Sequence, residues 1–224
     1  MNRLITIVSL IFLATVFCGN LNDISTPGIV SIKNIDPFEG KIFYDLKFID
    51  KTGSMTEENV KIYMGTKQVY TIKGNKYKSE MNGMMKITQY YLGQDTIYNQ
   101  MVGVNSLMWI NSKTNSDEIV SYEIEKNVEK VNGIDCDKLS IKSKHGTTQY
   151  FFNSNYAANP DDYSNHEYGF WKFCIEKTRS LPLKSISDSK GVYVEITATE
   201  IKPMTISDQE FQLPDLPRTK SPAN

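Results

Sequence analysis

Histidine occurs twice and cysteine three times in the 224 residues, too few for a His-rich metal centre or a four-cysteine zinc site. An excess of one charge is also missing. Lys and Arg number 25 against 26 Asp and Glu, and the basic residues are spread along the chain. No positive footprint for a nucleic-acid backbone results, and a polyanion partner is not expected. Nucleophile elbows, phosphate-binding loops, dinucleotide glycine patterns and the HExxH motif are absent, so no cofactor and no catalytic constellation are expected. The one long apolar run lies at the N-terminus, and no second run of membrane-spanning length follows. What is present, 40% hydrophobic and 11% aromatic residues, is the composition of a globular protein with one well-filled core. Disorder, collagen and coiled coil are excluded.

The N-terminal run reads as an address. Arg3 precedes the apolar stretch Leu4 to Phe17, and Cys18-Gly19-Asn20 supply a polar exit, the pattern of a secretory signal peptide over residues 1–18. Two cuts fit: Val16 and Cys18 as the small residues of an ordinary signal peptidase site, or Cys18 as an acylated first residue, against which Phe17 argues. Acylation would tether the chain to a membrane surface, making it membrane-peripheral. Cys136 and Cys174 would then sit in an oxidising compartment. A bridge between them would restrict the unfolded chain by roughly 3–4 kcal/mol; two buried free thiols or a reactive thiol are the alternatives.

From residue 38 onward the dominant period is two. Phe38, Gly40, Ile42, Tyr44, Leu46 and Phe48 alternate with a mostly polar set, which predicts a long strand with one apolar face. Gly74-Asn75, Asn82-Gly83, Asn132-Gly133 and Ser189-Lys190-Gly191 supply turns between further extended runs. Strands are predicted near 39–49, 67–73, 76–82, 85–92, 95–102, 107–111, 119–131, 134–143, 147–153, 182–188, 192–202 and 209–213. Helical signals are few: the Ser54 to Glu58 start, and a short helix around 166–177 within an aperiodic stretch 154–180. So few helices cannot cover so long a sheet, which predicts strands curling around their own apolar face as an unclosed barrel. Residues 19–36 read as a leader, 37–214 as a single β domain, and 215–224 as a polar, proline-punctuated disordered tail with nothing to bury.

Candidate chemistry is sparse. His145 and His166 are read as exposed turn histidines, with a catalytic base the alternative. The acidic loop Asn159 to Asn165 has calcium-type oxygens but not the spacing of a calcium loop, and is read as a solvated turn. Seven of the nine methionines lie between Met55 and Met108. Met81, Met84 and Met85 could bind Cu(I), but a strand sends Met84 and Met85 to opposite faces. Flexible thioethers also suit an apolar surface that accepts variable shapes, or serve as core filler. Tyr70, Tyr77, Tyr90, Tyr91, Tyr98 and Trp109 share that half of the chain and would form an amphipathic, lipid-compatible wall.

Several landmarks form a family pattern: Phe38-Glu39-Gly40-Lys41-Ile42, the Lys73 to Glu80 turn, Val131-Asn132-Gly133-Ile134-Asp135-Cys136, Leu181-Pro182-Leu183-Lys184 and Phe211-Gln212-Leu213-Pro214. Together they resemble the DUF4412-like bacterial envelope proteins common in Bacteroidetes, similar in fold to the LolA/LolB lipoprotein carriers. Gly74, Gly133 and Pro182 match as fold landmarks. The resemblance implies a mainly β fold: a curved antiparallel sheet forming a half-barrel, with one or two short helices over its concave apolar side, where acyl chains sit. The protein would be a non-enzymatic, periplasmic or outer-membrane-associated binder of a lipid or acyl chain. Strand parity selects Ile42, Tyr44, Leu46, Met85, Ile87, Tyr91, Val194 and Ile196 as lining residues. The alternative is an interaction module of the envelope, its barrel filled by its own side chains and its partners docking on the rim loops 154–180 or a sheet edge. A continuous apolar cavity of several hundred Å³ would favour the first.

Overall fold

The computed structural model describes residues 36–115 and 117–222. The signal segment, Cys18 and residues 19–35 of the leader lie outside them. Alternation along Gly40–Asp50 places Ile42, Tyr44, Leu46 and Phe48 on one buried face of strand β1. The same period builds β2 (Lys67–Lys73), β3 (Lys76–Met81), β4 (Thr88–Leu92), β5 (Thr96–Gln100) and β6 (Leu107–Asn111), then β7 (Ile119–Val131), β8 (Ile134–Ser143) and β9 (Gly146–Ala157). After a helical interruption come β10 (Ser180–Ser189) and β11 (Val192–Pro203), and last β12 (Arg218–Lys220). All twelve join one open sheet in the order β12-β6-β5-β4-β3-β2-β1-β11-β10-β9-β8-β7. Its pairs are antiparallel except β12 with β6, which is parallel, so the fold is a mainly β, open curved sheet with two short α-helices. The β7–β8 hairpin turns at Asn132 and Gly133, both at positive φ, as a two-residue primed turn requires.

Two pieces cover the concave side. Helix α1 (Glu57–Met64) starts where Thr56 accepts a hydrogen bond from the Asn59 amide, carries Glu57 and Glu58 in its first turn, and buries Val60 and Met64. It ends at Gly65 (φ +89), whose backbone lies against Gly83. A Cβ on Gly83 would stand 2.3 Å from the Met64 carbonyl carbon and 2.3 Å from the Tyr63 oxygen. Both are backbone atoms and cannot swing aside. Gly83→Ala is therefore expected to cost about 1–3 kcal/mol, read as a lower urea midpoint at unchanged m-value. The second piece runs from the 3-10 turn Pro160–Tyr163, capped by Asn159, through Tyr168–Phe170 to α2 (Trp171–Thr178). Ser112 holds it down, donating from Oγ to the Asn165 carbonyl (2.7 Å) and accepting at its own carbonyl from the Tyr168 amide (3.0 Å).

The convex side is covered by the chain after β11. Ile206 and Phe211 are buried, and the Ile206 amide donates to Glu39 Oε1 at 2.6 Å. Glu210 takes Lys41 and Lys78, each at 3.1 Å.

Four expectations change. The strand near 209–213 is instead a 3-10 turn, Asp208–Phe211, because Phe211 is drawn onto the convex face. Residues 215–224 were expected to have nothing to bury. Yet Arg218–Lys220 pair with Leu107 to Trp109, and Ser221 is buried, since backbone groups of the sheet edge offer partners that no side-chain pattern announces. The strand predicted from 85 begins only at Thr88: Met84 and Met85 donate their amides to the α1 carbonyls of Ile62 and Tyr63, and Lys86 adopts φ 41°. Finally, Cys136 and Cys174 form no disulfide. Both are free and buried, Cys136 within the apolar cluster that includes Val131 and Tyr163, and Cys174 within the one that includes Leu139 and Phe170. Burial pushes both thiols up, Cys174 to about 12, so neither is a nucleophile at neutral pH.

Candidate functional site

Parity sends residues from β1, β2, β3, β4, β5, β10 and β11 to the same concave surface, and three zones follow one another along it. At one end lies an aromatic stack. Tyr70 lies on Tyr77 (centroids 4.8 Å apart), Tyr77 on Tyr91 (5.5 Å), and Tyr91 on Tyr163 of the covering segment (6.2 Å). His166 meets the Tyr91 ring edge-on at 4.6 Å, and its Nε2 shares a 2.9 Å hydrogen bond with the Tyr77 hydroxyl. The imidazole is 3% exposed, and this burial pulls its pKa down to about 4, so it is neutral at physiological pH. Trp171 closes the stack, 6.1 Å from Tyr70 and 6.0 Å from His166.

A polar row comes next. Gln89 of β4 donates to Asn99 Oδ1 of β5 at 3.1 Å and accepts from the Tyr77 hydroxyl at 3.2 Å. Gln68 of β2 donates to Ser79 Oγ of β3 at 2.6 Å. Gln68, Ser79 and Asn99 are all buried. At the far end Leu46, Phe48, Val60 and Ile87 pack with six methionines: Met55, Met64, Met81, Met85, Met101 and Met108.

A cavity of about 520 Å³ runs across these zones, within the range of small-molecule sites, roughly 300–1,000 Å³. Its apolar wall includes Tyr44, Phe48, Met64, Met81, Ile87, Val192, Val194 and Ile196, and its aromatic end Tyr70, Tyr77, His166 and Trp171. Ser185, Ser187 and Thr148 line the β9–β10 side. The rim is formed by the tips of the β8–β9 and β10–β11 hairpins, where the charged lining residues gather. There His145 Nδ1 lies 2.9 Å from Asp117 Oδ1, Asp188 pairs with Lys51, and Lys190 is exposed.

Of the eight residues selected by parity, Tyr44, Ile87, Val194 and Ile196 line this cavity. The other four share the face but pack beneath it. Ile42 and Tyr91 are fully buried in the aromatic cluster, Leu46 is covered by the methionine cluster, and Met85 sits in the turn before β4. His166, expected to be exposed, is enclosed by rings because the covering segment folds it inward. His145 is exposed, as expected. The 159–165 loop is a capped 3-10 turn whose Tyr163 is buried. Among the described residues no three His, Cys, Asp or Glu side chains form a metal-holding group. Gln68, Ser79, Gln89 and Asn99 went unselected, although the same parity places them inward.

No family model matches the chain, and no curated protein matches it by sequence. The DUF4412-like resemblance therefore rests on the turn motifs alone. Among solved structures, the chain is similar to the lipoprotein LppX of Mycobacterium tuberculosis, with 9% identity, covering 75% of this chain and 90% of that one at a TM-score of 0.36. It is also similar to LprF from Mycobacterium bovis, with 8% identity, covering 76% and 89% at a TM-score of 0.29. At these scores the likeness assigns this chain neither a ligand nor a role.

Proposed function

We propose that this protein is a non-enzymatic binder of an acyl chain, exported to the cell envelope and peripheral to its membrane, which holds the chain along the concave face of its sheet. The observation that carries the reading is the cavity of about 520 Å³ bounded by apolar side chains of β1, β3, β11 and α1. Each methylene moved from water into such a wall contributes about 0.8 kcal/mol. A ten-carbon stretch therefore supplies roughly 8 kcal/mol before the cost of ordering is subtracted. Methionines at the far end suit chains of differing length or unsaturation, because an unbranched thioether re-packs at little cost.

Fluorescence titration with cis-parinaric acid and its methyl ester tests this directly. Saturable enhancement at one ligand per chain is expected with at least one of the two, and native mass spectrometry of protein purified from the envelope should show a lipid adduct. A folded protein that enhances neither probe and carries no adduct overturns the reading.

A second reading is favoured by the free edge of the sheet. Among the described residues strand β7 pairs only with β8, and its Val120, Tyr122, Ile124 and Val128 are exposed, which suits docking of a partner's strand.

A further inference from the structure

An acyl chain needs only apolar walls, yet uncharged amides and hydroxyls cross the floor of this cavity. Burying such groups is unfavourable unless each finds a partner, and the row is only partly satisfied from within. Gln68 and Gln89 use their Nε2 donors on Ser79 and Asn99. Asn99 is 2% exposed, and its Nδ2 makes no hydrogen bond among the described residues. The indole Nε1 of Trp171, another lining residue, is buried and also without a partner. The Asn99 amide donor thus remains for a guest on the cavity floor.

The cavity's charges are arranged differently. Its lining Asp and Lys residues, Asp117, Asp188 and Lys190, stand at the rim together with His145. Three of them are engaged, His145 with Asp117 and Asp188 with Lys51. No lysine or arginine lines the inner wall. An anionic head group drawn down to the polar row would leave water without a counter-charge, whereas a carbonyl oxygen would meet the Asn99 amide donor.

We propose that the cavity selects uncharged acyl esters over free fatty acids, the ester carbonyl accepting from Asn99 while the chain lies against the methionine-rich end. This rests on the acyl-chain reading and specifies its ligand. The test compares ligands with one and the same chain, cis-parinaric acid, its methyl ester and its primary amide, at about pH 8, where the acid is ionised. Ester and amide should bind roughly tenfold or more tightly than the acid. Asn99→Leu should narrow the gap between ester and acid to about threefold or less. Acid binding as tightly as the ester overturns the proposal while leaving the acyl-chain reading intact; failure of all three ligands to bind overturns that reading instead. A gap that persists in folded Asn99→Leu removes Asn99 from the role assigned to it. Should that variant fail to fold, Asn99→Ala, which deletes the same donor and leaves room for water beside Gln89, carries the same comparison.

Discussion

Acidification from pH 6.5 to about 4 is expected to remove about 3 kcal/mol of stability through His166 alone. Burial holds the folded-state pKa at about 4 against the ordinary 6.5 of a solvated imidazole, and each unit of difference is worth about 1.4 kcal/mol. The folded state therefore binds fewer protons than the unfolded state across this window. The stabilisation is fully present above pH 6.5 and is lost as the pH falls toward 4. Glu210 loses stability in the same direction, since its hydrogen bonds from Lys41 and Lys78 hold its carboxyl below the ordinary value. Total acid sensitivity thus does not isolate the histidine, but a variant does. His166→Phe keeps a ring beside Tyr91 and leaves the Tyr77 hydroxyl its contact with Gln89. Urea unfolding of both proteins at pH 7 and about pH 4.5 should show a drop about 2–3 kcal/mol smaller in the variant. Equal drops would mean that His166 is protonated, and hence solvated, in the folded state.

Filling the cavity should abolish binding. Val194 lines it from β11, half-buried between the methionine end and the β10 hydroxyls. Val194→Trp places an indole where the acyl chain would lie. Affinity for cis-parinaric acid methyl ester is expected to fall about a hundredfold, or about 2.8 kcal/mol. Overpacking should cost about 1–3 kcal/mol of stability, so circular dichroism must first show that the sheet persists. Lys47→Trp, on the opposite face of β1, controls for an added indole. Unchanged affinity in folded Val194→Trp would move the ligand, if bound at all, away from the concave face.

Period-two alternation carried most of the architecture into view. β2, β6 and β8 have the predicted ends because an apolar-in, polar-out pattern has one register that buries it, whereas β7, with Val120, Tyr122, Ile124 and Val128 exposed, is placed by its hairpin with β8. Where that pattern was absent, or was overruled by backbone hydrogen bonds, prediction failed. Arg218, Thr219 and Lys220 have no apolar member, and their strand exists because Leu107 donates to the Pro217 carbonyl and Ser221 to that of Trp109. Met84 and Met85 look extended until the α1 carbonyls capture their amides. The cavity was half legible. Apolar parity found Tyr44, Ile87, Val194 and Ile196, but depth below the surface is set by what lies on top, and nothing local to Tyr91 or Ile42 announces the segment that covers them. The polar row could have been found by reading inward positions for amides as well as aliphatics. His166 could not, since its burial depends on contacts with β3 and β4, far away in sequence.

The pairing of β1 with β11 joins Gly40 to Pro203, so nearly the whole described chain lies between two adjacent strands. Loops of that length close slowly, and sheets dominated by distant pairings are slow folders. While the chain emerges from its N-terminus, β1 can pair with β2 at once, but the backbone groups along its other edge wait unpaired until β11 has been made. That exposed edge is where premature aggregation would begin. A chaperone that held β1 during this interval and then let go would raise the yield of folded protein without altering its final stability.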